Sequence, residues 1–367
     1  VTHRVRRGFA LPVFLLAVFG AGIAWVVYTA QLFGGFSQRS QLQTETALRR
    51  AREALIQNAV WEDSSPGALL CPDITKGDGT ADASCSAGVI GRFPWRTLGI
   101  DPPRDGAGEC LWYALSGDAR KQLHVEWRGQ NGTYQAMNPG WSGSMTLHDR
   151  VANTNTNVIA VLFAPGPPLP GQARSINNSR CHGGPPAAFL EALDGINNAS
   201  GTVAVRAEAQ AGFNDRVLAI TARDLYTAVA PRVLSELAGT DPVYGLRALL
   251  SIAPASTWGD EDGNPRIDFT DPMVVAAFPA PAAGQNPAPY PITTNGCTEY
   301  VATNDNGNTV SAPGIYSIEW LCFNQWTQYI QFHPDSSDQV TLSMSQSGWQ
   351  ASASPFNSTR LRRIPIE

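Results

Sequence analysis

From Phe9 to Ala30 the chain carries no charged side chain. A helix of that length, rising about 1.5 Å per residue, covers the roughly 30 Å hydrocarbon core of a bilayer. His3, Arg4, Arg6 and Arg7 precede it. The positive-inside rule then holds the N-terminus in the cytoplasm and places everything after the span on the other side. A secretory signal peptide would have a shorter apolar core followed by a small-x-small cleavage site. The one fair match, Gly22-Ile23-Ala24, sits inside the apolar run. Past it the pattern changes. From Ser37 to Trp61 there is neither Pro nor Gly, and Leu48, Ala51, Leu55 and Ala59 recur at helical spacing with Arg49, Arg50, Arg52 and Glu53 between them. This predicts an amphipathic helix continuing the membrane helix outward, with a break near Gly34-Gly35.

Beyond Trp61 the helical period stops. Asn157–Phe163, Thr202–Glu208 and Arg216–Thr221 are short, β-branched and bounded by Gly, Pro or Asn, which predicts strands. Ala187–Leu193 reads as a short helix. A longer one runs to about Leu237, with Asp224 as its N-cap and Pro231 as a kink or break, and Tyr244–Ile252 continues it. In the last third, Gly314–Pro334 and Asp338–Ser352 are aromatic and β-branched and predict an antiparallel meander with a turn near Asn324-Gln325. A proline-rich connector, "PAPAAGQNPAPYP", precedes them. No internal repeat is visible. The expected fold is α+β: a long N-terminal helix, transmembrane then amphipathic (9–62), followed by a two-lobed, disulfide-bonded, β-rich head. The lobes are 63–250 and 291–367, joined through 251–290.

Composition narrows the function. The 367 residues carry a net charge of -5 and only 16% are charged, below the usual quarter or so. No basic face is visible that could neutralise phosphates, which argues against nucleic acid as a partner. The ten tryptophans suit a rigid extracytoplasmic head. Exposed ones would stack on sugars, but Trp95, Trp112, Trp320 and Trp326 more naturally serve as core or turn anchors.

Six cysteines are dispersed, at Cys71, Cys85, Cys110, Cys181, Cys297 and Cys322, without CxxC or a histidine at zinc spacing. Behind an export signal they read as up to three disulfides, with buried thiols as the alternative. Sequence does not fix connectivity. Pairing by proximity alone gives Cys71 with Cys85, Cys110 with Cys181, and Cys297 with Cys322.

Catalytic motifs are missing: there is no GxSxG, HExxH, P-loop or GxGxxG after a strand. His124 and Glu126 share a strand face without a third partner. His182 beside Cys181 lacks the geometry of a nucleophile pair. Two acidic turns have the composition of calcium loops without the EF-hand pattern. They are "DITKGDGTAD", with Asp73, Asp78 and Asp82, and "GDEDGNPRIDFTD", with Asp260, Asp262, Asp268 and Asp271. The second is the better candidate, and calcium is the only cofactor the sequence raises.

Basic residues, then Gly8, Phe9, a long apolar run and an amphipathic extension together resemble a type IV pilin or type II secretion pseudopilin. "CPD" at Cys71–Asp73, "GRFPWRTLG" at Gly91–Gly99, "GECLWYA" at Gly108–Ala114, "VIAVLFAPGPPLPGQAR" at Val158–Arg174 and "FNDRVLAITARDLYTAV" at Phe213–Val229 resemble a group of large bacterial prepilin-like proteins. The resemblance spans roughly residues 8–235. It implies cleavage between Gly8 and Phe9 by prepilin peptidase, N-methylation, and residence in the inner membrane with the head in the periplasm before entry into a filament. Such proteins usually carry a glutamate five residues beyond the cut, where Val13 stands here. That departure implies a minor subunit at or near a filament tip. The resemblance as a whole implies other pilin or pseudopilin subunits as partners, a surface-contact role and no enzymatic activity. The competing expectation is a periplasmic hydrolase or glycan-binding protein that uses the first helix only as an anchor.

Overall fold

The computed structural model describes residues 38–62, 66–86, 88–116, 119, 137–174, 181, 184–239 and 246, then 286–291, 298–303, 309–310, 326–336, 339–354 and 357–364. The apolar run Phe9–Ala30, the residues before it and the acidic turn containing Asp260 lie outside these residues, as do Cys297 and Cys322. Among the described residues no helix is long and apolar enough to cross a membrane. The architecture is mixed α+β with sheet predominating.

Helix α1 occupies 38–61. It buries Thr44, Ala47, Leu48, Ala51, Leu55 and Ala59, while Arg49, Arg50 and Glu53 stay exposed. The predicted seam is therefore the buried one. Its alanines let the helix backbone approach closely, and Ala51 and Ala59 are fully buried.

Beneath α1 lies a four-stranded antiparallel sheet ordered β1 (Val89–Arg92), β2 (Trp112–Leu115), β5 (Ala160–Ala164) and β9 (Arg216–Ile220). Every residue of β2 and β5 is buried, because both faces are covered. Tyr113, Leu115, Leu162 and Ile220 pack with the helices. Trp112, Val161, Phe163 and Val217 pack against a second sheet, ordered β4 (Thr154–Val158), β3 (Met145–Asp149) and β8 (Val203–Arg206). The expected single strand 157–163 is thus two strands, broken at Ile159, where the chain passes from one sheet to the other. Gly143 (φ +91°) packs against that corner. A Cβ there would sit 2.2 Å from the Val158 carbonyl oxygen.

The expected helix Ala187–Leu193 is a single 3-10 turn, Pro186–Ala188, followed by a hairpin of β6 (Ala192–Leu193) and β7 (Ile196–Asn197). Asp194 and Gly195 both take positive φ, 52° and 80°, as a tight two-residue hairpin turn requires. The turn displaces the helix.

Helix α2 runs Ala222–Ala238. Its N-cap is Thr221, not Asp224. The Thr221 hydroxyl accepts from the Asp224 N–H at 3.2 Å, and Asp224 accepts from the Thr221 N–H at 3.0 Å, a capping box. Burial pushes the Asp224 carboxyl up, but its bonds to Arg52 and Thr221 outweigh this and hold it below its ordinary value. Arg52 of α1 pairs with Asp224, and Arg232 donates to the Val60 and Glu62 carbonyls at 2.6 and 2.9 Å. The two helices therefore run side by side in the same direction, with Arg232 capping the C-terminus of α1.

Pro231 does not break α2. Lacking an N–H, it leaves the Thr227 carbonyl without its helical donor. The Trp349 indole N–H supplies one at 2.9 Å. Trp349 opens β15 (Trp349–Ser354) of a meander whose other strands are β13 (Gln331–Ser336), β14 (Gln339–Met344) and β16 (Asn357–Arg363), paired in sequence order. From Gln331 onward this is the expected antiparallel meander, while 314–325, with the expected turn near Asn324-Gln325, lie outside the described residues. Val340, Leu342, Met344, Ala351 and Ala353 join one core with α2, and Trp326 meets Tyr226 edge-on at 5.7 Å. A separate backbone sheet pairs β10 (Asn286–Pro291), β11 (Thr298–Thr303) and β12 (Thr309–Val310).

Trp349→Phe is expected to lose about 1–3 kcal/mol by orphaning the Thr227 carbonyl. Adding Pro231→Ala restores a helical donor and should recover most of that loss. Denaturant melts of the two single variants and the double variant check this; additive losses would refute the pairing.

Candidate functional site

Several segments singled out in the sequence meet on one side of the central sheet, and their charged residues turn inward. Asp73, 2% exposed, accepts N–H bonds from Lys76 (3.2 Å), Gly77 (2.7 Å) and Gly79 (2.6 Å). Asp82 accepts from the Ile74 and Thr75 N–H groups and the Thr75 hydroxyl. Asp78 takes Thr80 N–H and Arg96. The carboxylates of this first acidic turn are thus occupied by donors that shape the loop. Burial raises Asp82, while its bonds to Thr75 and Ile74 bring it below its ordinary value. Gly79 (φ +84°) is held under Trp95, whose indole lies 2.2 Å from where a Cβ would stand.

Deeper lies a knot of six ionisable residues. Arg92 is 4% exposed and lies against both Trp112 and Phe189, 3.9 and 4.2 Å from their ring centres. Burial pulls its pKa down to about 10; Glu109 and Asp73 resist this, and Arg174 adds to it. Asp105, fully buried, accepts from Ala107, Glu109 and Gly166 N–H groups. Burial still leaves its carboxyl above the ordinary value.

Arg174, its side chain 2% exposed, ties together the turns around it. It donates to the Gly166 carbonyl at 2.6 Å, the Phe189 carbonyl at 2.9 Å and the Gln172 amide oxygen at 2.6 Å, and lies 3.6 Å from Glu191 and 3.7 Å from Glu109. Glu191 and Asp215 grip each other's backbone. The Glu191 N–H donates to Asp215 at 2.9 Å, and the Asp215 N–H to Glu191 at 3.1 Å. Asn198, fully buried, donates to Asp215 at 2.9 Å and accepts from the Val205 N–H at 2.7 Å. Burial and then the neighbouring Glu191 push the Asp215 carboxyl well up.

Four acids and two guanidiniums, all but shut off from water, make a structural tie rather than a place where substrate could reach an acid/base pair. A groove of about 510 Å³ opens beside it, between Thr44 and Leu48 of α1 and Arg216 and Leu218 of β9, with Asn214 in its wall. No family model, curated protein or solved structure matches the chain.

The structure pairs Cys71 with Cys85 and Cys110 with Cys181. Both Cys110 and Cys181 are buried, so Cys181 is no nucleophile beside His182. Cys297 and Cys322, Gly8, Phe9 and Val13, and Asp260, Asp262, Asp268 and Asp271 lie outside the described residues, as do His124, Glu126 and His182. Among the described residues no group of three or more His, Cys, Asp or Glu side chains is placed to hold a metal ion. Trp112 and Trp326 are buried, as core anchors should be, while Trp61 at the end of α1 is 72% exposed. The knot is not legible in the sequence: Arg174 ends a Gly- and Pro-rich stretch, Glu191 lies in a segment that reads as a short helix, and Asp215 stands just before an expected strand.

Proposed function

We propose that this chain is a minor subunit of a type IV pilus or pseudopilus, at or near the filament tip, acting by assembly rather than catalysis. The observation that carries this reading is how α1 joins the head. A simple tether needs no fixed relation to what it carries. Here the amphipathic continuation of the apolar run is buried along its length against the central sheet, pinned at two points to α2 through Arg52 and Arg232. Force or displacement applied to such a helix is transmitted directly to the head. The apolar run Phe9–Ala30 would dock among the helices of other pilin subunits. Valine at position 13, which offers no carboxylate to a neighbour's terminal amine, suits the end of a filament better than its repeating body.

The test is intact-mass and N-terminal analysis of the protein from its native membrane, with prepilin peptidase present and absent. The expected mature chain begins at Phe9 only when the peptidase is active. A chain uncut in both strains would sink the reading and leave an ordinary membrane anchor.

A further inference from the structure

The central sheet ends at β9, and among the described residues no strand pairs with its outer edge. The register decides which main-chain groups face that edge. Ser116 donates to the Ile159 carbonyl at 2.9 Å, continuing the β2–β5 ladder in which Ala114 stands opposite Val161 and Trp112 opposite Phe163. Hydrogen-bonded pairs alternate along an antiparallel ladder. Val161 and Phe163 therefore direct their main chain at β2, while Ala160, Leu162 and Ala164 direct theirs at β9. Opposite those three stand Ile220, Leu218 and Arg216. Val217 and Ala219 consequently turn their N–H and C=O groups away from the sheet. Among the described residues nothing bonds to them, although Val217 is only 8% exposed. Main-chain groups so nearly buried are ordinarily paired.

This edge opens into the groove of about 510 Å³, whose floor holds Arg216, Val217 and Leu218. One wall is α1, with Ser40 and Thr44; the other carries Val151, Ala207 and Ala209. Proteins usually blunt an open edge with charge, proline or a bulge, yet from Val217 to Ile220 β9 has neither charge nor proline. Five charged side chains line the groove. Arg49 pairs with Glu45 at 3.6 Å and Arg206 with Asp149 at 3.2 Å, and Glu208 is exposed. Arg216, half-buried on the strand face it shares with Leu218, has no acid partner among the described residues.

We propose that this edge takes up an extended segment of another polypeptide, which joins the four-stranded sheet as a further strand and sets a carboxylate on Arg216. The main chain of a strand supplies donors and acceptors that repeat every two residues, about 6–7 Å, which is the spacing of Val217 and Ala219. Guanidinium in turn selects a carboxylate through paired N–H bonds. Alternation assigns the segment's two faces: a polar face with the acid toward Ser40, Thr44 and Arg216, and an apolar face toward Val151, Ala207 and Ala209. This surface goes beyond the assembly reading and does not depend on it.

The experiment uses the full chain in a neutral detergent and a capped, fluorescently labelled heptapeptide that alternates valine with serine, with glutamate replacing the middle serine. The peptide should bind and raise its anisotropy. Lysine in place of the glutamate should weaken binding by roughly tenfold or more, the worth of one charge-assisted pair. Arg216→Glu should reverse that preference. Amide exchange should show Val217 and Ala219 gaining protection when the glutamate peptide binds. Ala219→Pro removes an outward donor and no bond to β5, so it should abolish binding with an unchanged melting temperature. Should that variant fail to fold, the charge reversal and the exchange pattern still decide. No binding, equal binding of the two peptides, binding without protection of Val217 and Ala219, or a folded proline variant that binds normally would each overturn the proposal.

Discussion

Replacing Arg174 with alanine is expected to cost about 3–5 kcal/mol of head stability, the range for removing one partner of a buried ion pair. The guanidinium is 2% exposed and serves Gly166, Phe189, Gln172, Glu191 and Glu109 at once. Its loss takes the guanidinium from Glu191, leaves Glu109 with Arg92 but one cation fewer, and leaves three carbonyl or amide oxygens short of a donor. Lysine would keep the charge but not the planar fork, so Arg174→Lys should recover only part of the loss. Urea unfolding of the three proteins measures the effect. A change below about 1 kcal/mol for Arg174→Ala, the typical outcome for an exposed pair, would show that the knot does not hold the turns together.

The second large effect depends on pH. Asp215 is 1% exposed, sits beside Glu191, and has one carboxyl oxygen, Oδ1, with no hydrogen-bond donor. A proton on that oxygen removes both the unsatisfied charge and the repulsion from Glu191, which is why burial and Glu191 raise its pKa. The unfolded chain gives up this proton at about pH 4. The folded chain keeps it to higher pH, so folding gains stability in acid and loses it as pH rises through the raised value. For one proton the slope is at most about 1.4 kcal/mol per pH unit. Asp105 is shifted the same way.

Asp82 and Asp224 are held below their ordinary values. Their contribution is present above about pH 4 and is lost only in stronger acid, so the two windows separate. Asp215→Asn has the shape of the protonated acid. Its stability between pH 4 and 8 should fall less steeply than that of the unsubstituted protein, and the two should differ most at the alkaline end. Parallel curves would mean that Asp215 is ionised throughout.

The elements that were legible from sequence are those whose period answers to one environment. Leu48, Ala51, Leu55 and Ala59 of α1 face a single sheet, and the aromatic and β-branched run after Asp338 faces a single helix. The misreadings fall where the environment changes within a few residues. Asn157–Phe163 looks like one strand because apolar residues run through Ile159, yet the chain crosses between two sheets there. Ala187–Leu193 looks helical by composition, while the decisive signal, Asp194-Gly195, stands just outside that window. Thr221 and Asp224 are both good caps, and only the reciprocal bonding distinguishes N-cap from third position. The knot was invisible for another reason. A buried arginine in a Pro- and Gly-rich segment has the same letter as a solvated one, and its partners come from positions as far apart in the sequence as Glu109, Glu191 and Asp215.

Pro231 makes one late part of the chain necessary to an earlier one. During synthesis α2 emerges long before Trp349, and until that indole arrives the helix has a carbonyl it cannot satisfy and an apolar surface, Tyr226 among it, that nothing covers. A chain stopped short of β14 and β15 would therefore keep a sticky, incompletely bonded helix at its centre and be open to proteases and aggregation. The proline acts as a check on completeness, since the middle of the molecule closes only once its end has been made.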